Sequence, residues 1–436
     1  MSETPLQKVV PEEEFARQLG TLAEGFARLS AALLADRGSS WNKRELFALQ
    51  SEADELEAVL DDHGARQNQA FHYLTELTAS IRGFSLAALS LEHLDRRLEG
   101  YGVLERLGPE DGPDLVRDLN EARRFTQDSL AGLLDRWRVE VGEVHGVSLP
   151  ESVPGATIRT REPVRFCLPA TLGQEELTDE DQRIAEVSSK FLQACEMLEQ
   201  AGLVREQDPQ IRDRVLRERC NEELARVYEA TVHNLQSAYD THLKNTVVEA
   251  KDERLRQLRG HISTGLHMLE AVTQLTHFLE RHENGERTEA ARRQLSEVVP
   301  RAAVTHVALN LLLYWSQVSI KSGRQLANEL LPSYTDLQSM EVELAEGLML
   351  HARPASLIVA IVNQYGTPVE LEVAGQTCNA GSILELMILV GSTPENRSFV
   401  FRGDANPLRD IGLLFEAALG EEGLDQLPEG LAYLRS

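Results

Sequence analysis

The placement of proline constrains this chain more than any other feature. None occurs between Pro11 and Pro109, nor between Pro209 and Pro300, so two long stretches lack the strongest helix breaker. Inside them apolar residues recur at spacings of three and four, as in Phe71, Leu74, Leu77, Ile81 and Phe84, and again in Leu266, Leu269, Val272, Leu275 and Leu279. That period puts each set on one face of a helix. The pattern predicts helix over almost all of residues 12–331. Asp208-Pro209 supplies an N-cap with a first-turn proline, and Asn284-Gly285 a stop. Stripes this long bury themselves against one another or against a second subunit. The expectation is an elongated bundle, with a homodimer formed through it.

Between the helical stretches, Val147 to Leu177 holds Pro150, Pro154, Pro163 and Pro169 and two short β-like runs, ATIRT and VRFCL. It reads as a connector. The 436 residues exceed what one core usually organises. The expected division is a first helical half at 1–146, the connector at 147–177, a second helical half at 178–331, a linker at 332–339 and a different kind of domain at 340–436.

At Pro332 the periodicity changes. Met340, Val342 and Leu344 alternate with charged or small residues, as a strand does, and Leu357, Ile358, Ile361 and Val362 return to helical spacing. Val369, Leu371 and Val373 form a second strand, paired across Ala374-Gly375 with Gln376–Asn379. Ser382 opens another helix, Phe399 and Phe401 mark a last strand, and Asn406-Pro407 is expected to cap a final helix. The order is βαββαβα, which predicts an α+β fold with one antiparallel sheet and helices on one face. The whole chain is therefore expected to be multidomain, a long all-α bundle region followed by a small α+β open-faced sandwich.

Charge and cysteine usage narrow the partners. The 44 Lys and Arg against 70 Asp and Glu give a formal −26. Affinity for nucleic acid and for anionic membranes is built from clustered Lys and Arg, so neither is expected as a partner. The cysteines, Cys167, Cys195, Cys220 and Cys378, form no CxxC pair, and no metal site is expected. His72, His93, His277 and His282 lie on helices near acids, but without the Glu-x-x-His spacing of bundle metal sites. No Walker loop, dinucleotide fingerprint, HExxH or GxSxG is present, and no cofactor is expected. The opening MSETPLQKVVPEEEF lacks the layout of a secretion signal. The most apolar run, Ala302 to Trp315, is short for a membrane span and reads as a buried helix. The expected address is the cytoplasm.

Chemistry concentrates at Leu350-His351-Ala352-Arg353-Pro354-Ala355, at the junction of strand and helix. A neutral imidazole can attack a phosphoryl group near neutral pH. At a helix start the backbone N–H groups of Ala352 and Arg353 face outward with the positive end of the helix dipole, ready for an anion. Pro354 costs nothing in a first turn. Arg353 can add charge-assisted hydrogen bonds to the same oxygens.

These residues, with Asn379-Ala380-Gly381-Ser382-Ile383, whose Ser382 stands 31 positions after His351, resemble the HPr family, the histidine-containing phosphocarriers of the bacterial sugar phosphotransferase system. The resemblance covers about residues 338–425. It implies that His351 is a transient phosphoacceptor and Arg353 its stabiliser. It further implies an enzyme I-like donor, a protein phosphoacceptor or regulator, and a regulatory role for Ser382 beside its capping role. Two readings follow: a phosphoryl carrier or signalling protein with a helical sensing platform, or an HPr-like scaffold that only binds protein partners.

Overall fold

The computed structural model describes residues 9–35, 41–149, 180–281, 288–345 and 347–435. The connector beyond residue 149 and the stop at Asn284-Gly285 lie outside the described residues. The chain condenses into two compact units, the first formed by residues 1–171, 197–233 and 260–322, and the second by 172–196, 234–259 and 323–436.

The first unit is built from the amphipathic helices. Phe71, Leu74, Leu77, Ile81 and Phe84, mostly on the helix His72–Arg97, are buried, as are the five apolar residues from Leu266 to Leu279 on the helix Glu253–Arg281. Phe84 meets Phe278 edge to face at 5.1 Å. Asp208 caps the helix Pro209–Arg219, accepting from the Gln210 and Ile211 amides. Charge is buried with its partners. Asp118 accepts from Trp315 Nε1 at 2.8 Å and from Arg205, whose guanidinium lies over the Tyr314 ring at 4.3 Å. Among the described residues no single helix is long and apolar enough to cross a membrane; only the bent pair Glu289–Val298 with Arg301–Ser333 passes by length and composition together.

In the second unit the C-terminal chain forms β1 (Leu337–Glu343), α1 (Ala352–Tyr365), β2 (Val369–Val373), β3 (Gln376–Asn379), α2 (Ile383–Ser392), β4 (Ser398–Asp404) and α3 (Ala405–Glu416). This is the βαββαβα order of the sequence pattern. The strands pair antiparallel in the order β1-β4-β2-β3, with Phe401 opposite both Met340 and Leu371. Val369, Leu371, Val373, Phe399 and Phe401 turn to one face and join Ile358, Ile361, Leu386, Leu408, Ile411 and Leu414 in the core. The other face carries Glu370, Glu372 and Arg402, with Arg402 Nη2 2.6 Å from Glu372. One dry and one wet face explain the strict alternation. Ala374 (φ 51°) and Gly375 (φ 77°) make the tight turn between β2 and β3, the left-handed pair that matches strand twist.

The start of α3 differs from expectation. The helix begins at Ala405, not after Asn406-Pro407, and Asp404 occupies the cap position without a side-chain cap bond. Its carboxylate is already engaged, accepting from the Asp336 amide at 2.9 Å. Pro407 therefore sits inside the first turn, where a missing donor is harmless.

Three contacts anchor this domain within its unit. Tyr334 donates to Asp252 at 2.9 Å, just before β1, and Ala405 N donates to Asp336 O at 2.8 Å. Gly366, the left-handed end of α1 (φ 66°), packs so tightly that a Cβ there would lie 2.6 Å from Glu186 Cγ. Beyond α3 the chain returns to the core through Leu427, Leu431 and Leu434. The Tyr365 and Tyr433 hydroxyls both donate to buried Asp410.

Candidate functional site

His351 stands immediately before α1 with extended backbone (φ −106°, ψ −171°) and acts as its N-cap. Ring Nδ1 accepts from the Arg353 amide at 3.4 Å, and the His351 carbonyl accepts from Ala355 N at 3.0 Å. A histidine cap is unusual, since Ser, Thr, Asp and Asn fill the position more often. Its effect is to hold the ring over the free amides of the first turn. The side chain is 51% exposed, so a second molecule can reach it. Pro354 and Ala355 behind it are buried and fix the helix start. The opposite end of α1 is the one packed on Glu186. Fourteen residues separate the ends, about 20 Å of helix, so the anchoring contact leaves the histidine end open.

The turn after α3 completes the site. Arg353 Nη2 donates to Gly420 O at 3.0 Å, and His351 Nε2 lies 3.0 Å from Glu421 Oε1. An imidazole that accepts at Nδ1 carries its proton on Nε2, which is the nitrogen facing that carboxylate. The preceding backbone is strained: Ala418 (φ 49°), Leu419 (φ 57°) and Gly420 (φ 70°) are consecutive left-handed residues, and two of them have side chains that disfavour it.

Of the residues singled out in sequence, His351, Ala352, Arg353 and Pro354 come together at this helix start. Ser382 caps a different helix, its hydroxyl accepting from Glu385 N at 3.4 Å. That loop is tied further by Asn379, whose amide donates to Glu385 and whose side chain accepts from Gly381 N. Burial, with Glu385 and Glu370 nearby, pushes the Cys378 thiol up to about 11, which disfavours the thiolate. Apolar side chains stand in solvent close by in sequence and on α2, namely Met349, Ile383, Leu384 and Ile388.

Sequence reasoning missed Glu421. It lies 70 positions from His351, in a stretch whose only signals were glycine and acid.

The histidines of the helical region take other parts. His72 donates from Nδ1 to Arg66 O and receives the Thr288 amide at Nε2, while His277 pairs with Glu222 at 2.9 Å. His93 sits against His267 and Lys43; burial first, then these two neighbours, push it down to about 4. His282 lies outside the described residues. Among the described residues no group of three or more His, Cys, Asp or Glu could hold a metal ion.

Fold and site together define a class: a small open-faced α+β sandwich with an accessible imidazole capping its first helix. A family model described as PTS HPr component phosphorylation site matches residues 338–394. The C-terminal domain is therefore HPr-like, and the match supports a phosphocarrier-type role in general. No curated protein and no solved structure matches the chain.

Proposed function

We propose that the protein is a phosphotransferase-system-type phosphocarrier or signalling protein in which His351 is transiently phosphorylated. The observation that carries this reading is the half-exposed ring held by Arg353 N at the start of α1. A phosphoryl group on Nδ1 would replace that hydrogen bond and meet the same backbone donors at the positive end of the helix. Arg353 is two residues along the chain, and its guanidinium would exchange the Gly420 carbonyl for phosphate oxygens, a stronger charge-assisted contact.

The donor in this reading is an enzyme I-like protein and the acceptor another protein. Met349 and the outer face of α2 offer apolar surface for docking, and grouped exposed apolar residues often mark interaction sites. The helical region would then serve as a sensing or dimerising platform that reads the phosphorylation state, with Ser382 as cap and regulatory position.

Incubation of the full chain with enzyme I and labelled phosphoenolpyruvate tests this. The expected result is an acid-labile, base-stable label that is abolished in His351→Ala while the far-ultraviolet circular dichroism is unchanged. Binding of enzyme I with no label on the wild-type chain would instead establish the scaffold reading.

A further inference from the structure

We propose that Glu421 is a positioning residue for His351, delivered by the strained turn Ala418–Leu419–Gly420. In its chemistry this role rests on the carrier reading above; in its structure it rests on the contacts of the ring. Leu419 is fully buried and anchors the turn in the core. With that anchor in place, two successive residues grip the two reactive side chains. The Gly420 carbonyl accepts from Arg353, and the Glu421 carboxylate takes the Nε2 side of His351. Ala and Leu hold left-handed backbone only where their surroundings impose it, and such strain collects at working sites. Relaxing the turn would swing the next residue, Glu421, away from the ring.

The consequence is a fixed tautomer. Glu421 accepts the Nε2 proton, so the Nδ1 lone pair is the one left to react. In phosphorylation that pair forms the new N–P bond, the P–N bond to the donor's phosphohistidine breaks, and its electron pair stays on the donor's ring nitrogen. Nε2 keeps its proton throughout, and the ring becomes a cation paired with the Glu421 carboxylate. On release the N–P bond breaks, the pair returns to Nδ1, and the leaving group is a neutral imidazole. Without the carboxylate the phosphorylated ring more readily loses its Nε2 proton. Release would then have to expel an imidazolide anion, a far poorer leaving group. The charged group the structure records at this ring, among the described residues, is Glu421 from the turn; Arg353 meets the ring through its backbone amide and turns its guanidinium to Gly420 O.

Two measurements on the full chain test the role. Nitrogen-15 spectra of ring-labelled histidine, with the His351 signal assigned from its loss in His351→Ala, read the tautomer in the unphosphorylated protein. The expected spectrum has a proton on Nε2 and a free pair on Nδ1. In Glu421→Ala the two nitrogens should move toward the mixture seen for free histidine. A proton on Nδ1 in the wild type, or the same spectrum in the variant, overturns the role. The second measurement is release of inorganic phosphate to water from the labelled chain, as a function of pH. Glu421→Gln should still take label but release it about three- to tenfold more slowly, with the deficit widening as pH rises. Superimposable pH profiles overturn the role. If the wild-type chain never takes label, the carrier reading falls, and the ring spectrum still decides whether Glu421 sets the tautomer.

Discussion

The helical unit and the C-terminal domain handle charge in opposite ways. In the helical unit, acids are carried into the interior and set beside bases there. Asp118 is 3% exposed and holds Arg205 and the Trp315 indole, and Glu57 and Glu76 are buried among Arg66, Arg82 and Arg281. In the C-terminal domain the His351 ring and the Arg353 guanidinium stand in solvent, while charge such as that of Asp410 is buried beneath Tyr365 and Tyr433. A group buried with all its partners is fixed and stabilising but cannot exchange those partners. A group at the surface can trade a carbonyl or an amide for a phosphate at small cost. The contrast separates charge that is fixed from charge that is free to change partners.

The largest effect should come from breaking a buried network. Asp118→Ala leaves the buried Trp315 N–H without its acceptor and the partly exposed Arg205 without its carboxylate, and losing a buried acceptor shared by two donors costs about 3 kcal/mol. All three tryptophans, Trp41, Trp137 and Trp315, belong to the helical unit, so tryptophan fluorescence in urea reads that unit directly. The unfolding free energy should fall by that amount and the midpoint with it. A loss below about 1 kcal/mol would show that Asp118 is reached by water and that the contrast is overstated.

The next effect is a dependence on pH. His261 is completely buried, with Nδ1 2.8 Å from Ser319 O. Burial is the main cause of its depression to about 4; the Ser319 carbonyl opposes the shift and Arg106 adds to it. The folded value lies below the ordinary 6.5, so as pH falls the unfolded chain takes up a proton first. Stability is therefore complete above about pH 6.5 and declines toward pH 4. Between about pH 7.5 and about pH 5 this one group should cost about 2 kcal/mol. His93, pushed the same way but partly exposed, adds a smaller amount. Urea curves read by tryptophan at the two pH values check the slope, and His261→Gln should flatten it. An unchanged slope in that variant would move the proton uptake elsewhere.

How much of this was legible in the sequence follows the same division. The C-terminal fold could be read because its hydrophobic period switches cleanly between two and about 3.6, and the sheet has one wet face that keeps Glu370 and Glu372 in alternation with Val369, Leu371 and Val373. The His351–Pro354 cluster could be read because a helix start gathers neighbours in sequence. Contacts made at long range could not. Nothing in Ala418-Leu419 announces left-handed backbone, so the reach of Glu421 to His351 depended on the packing of Leu419. The Asp118–Trp315 bond spans 197 positions, and only the packed helices bring it together. The misplaced start of α3 has the same origin, since Asp404 is drawn to the Asp336 amide and Asn406-Pro407 is left inside the helix.

The smallest effect tests whether the C-terminal domain has any comparable internal support near its surface. Ser382 accepts from Glu385 N, while Glu385 reaches back to the Asn379 amide, so two side chains secure one exposed helix start. Ser382→Ala removes one of the two acceptors and should destabilise α2 by about 1 kcal/mol, read as faster amide hydrogen exchange over Ile383–Ser392 with no change in the tryptophan transition. Ser382→Asp keeps an acceptor at the cap and adds negative charge at a helix start, so its exchange should match the wild type or be slower. Equal acceleration in both variants would mean that the hydroxyl is held by something other than the cap. The start of α2 would then rest on the Asn379–Glu385 bond alone.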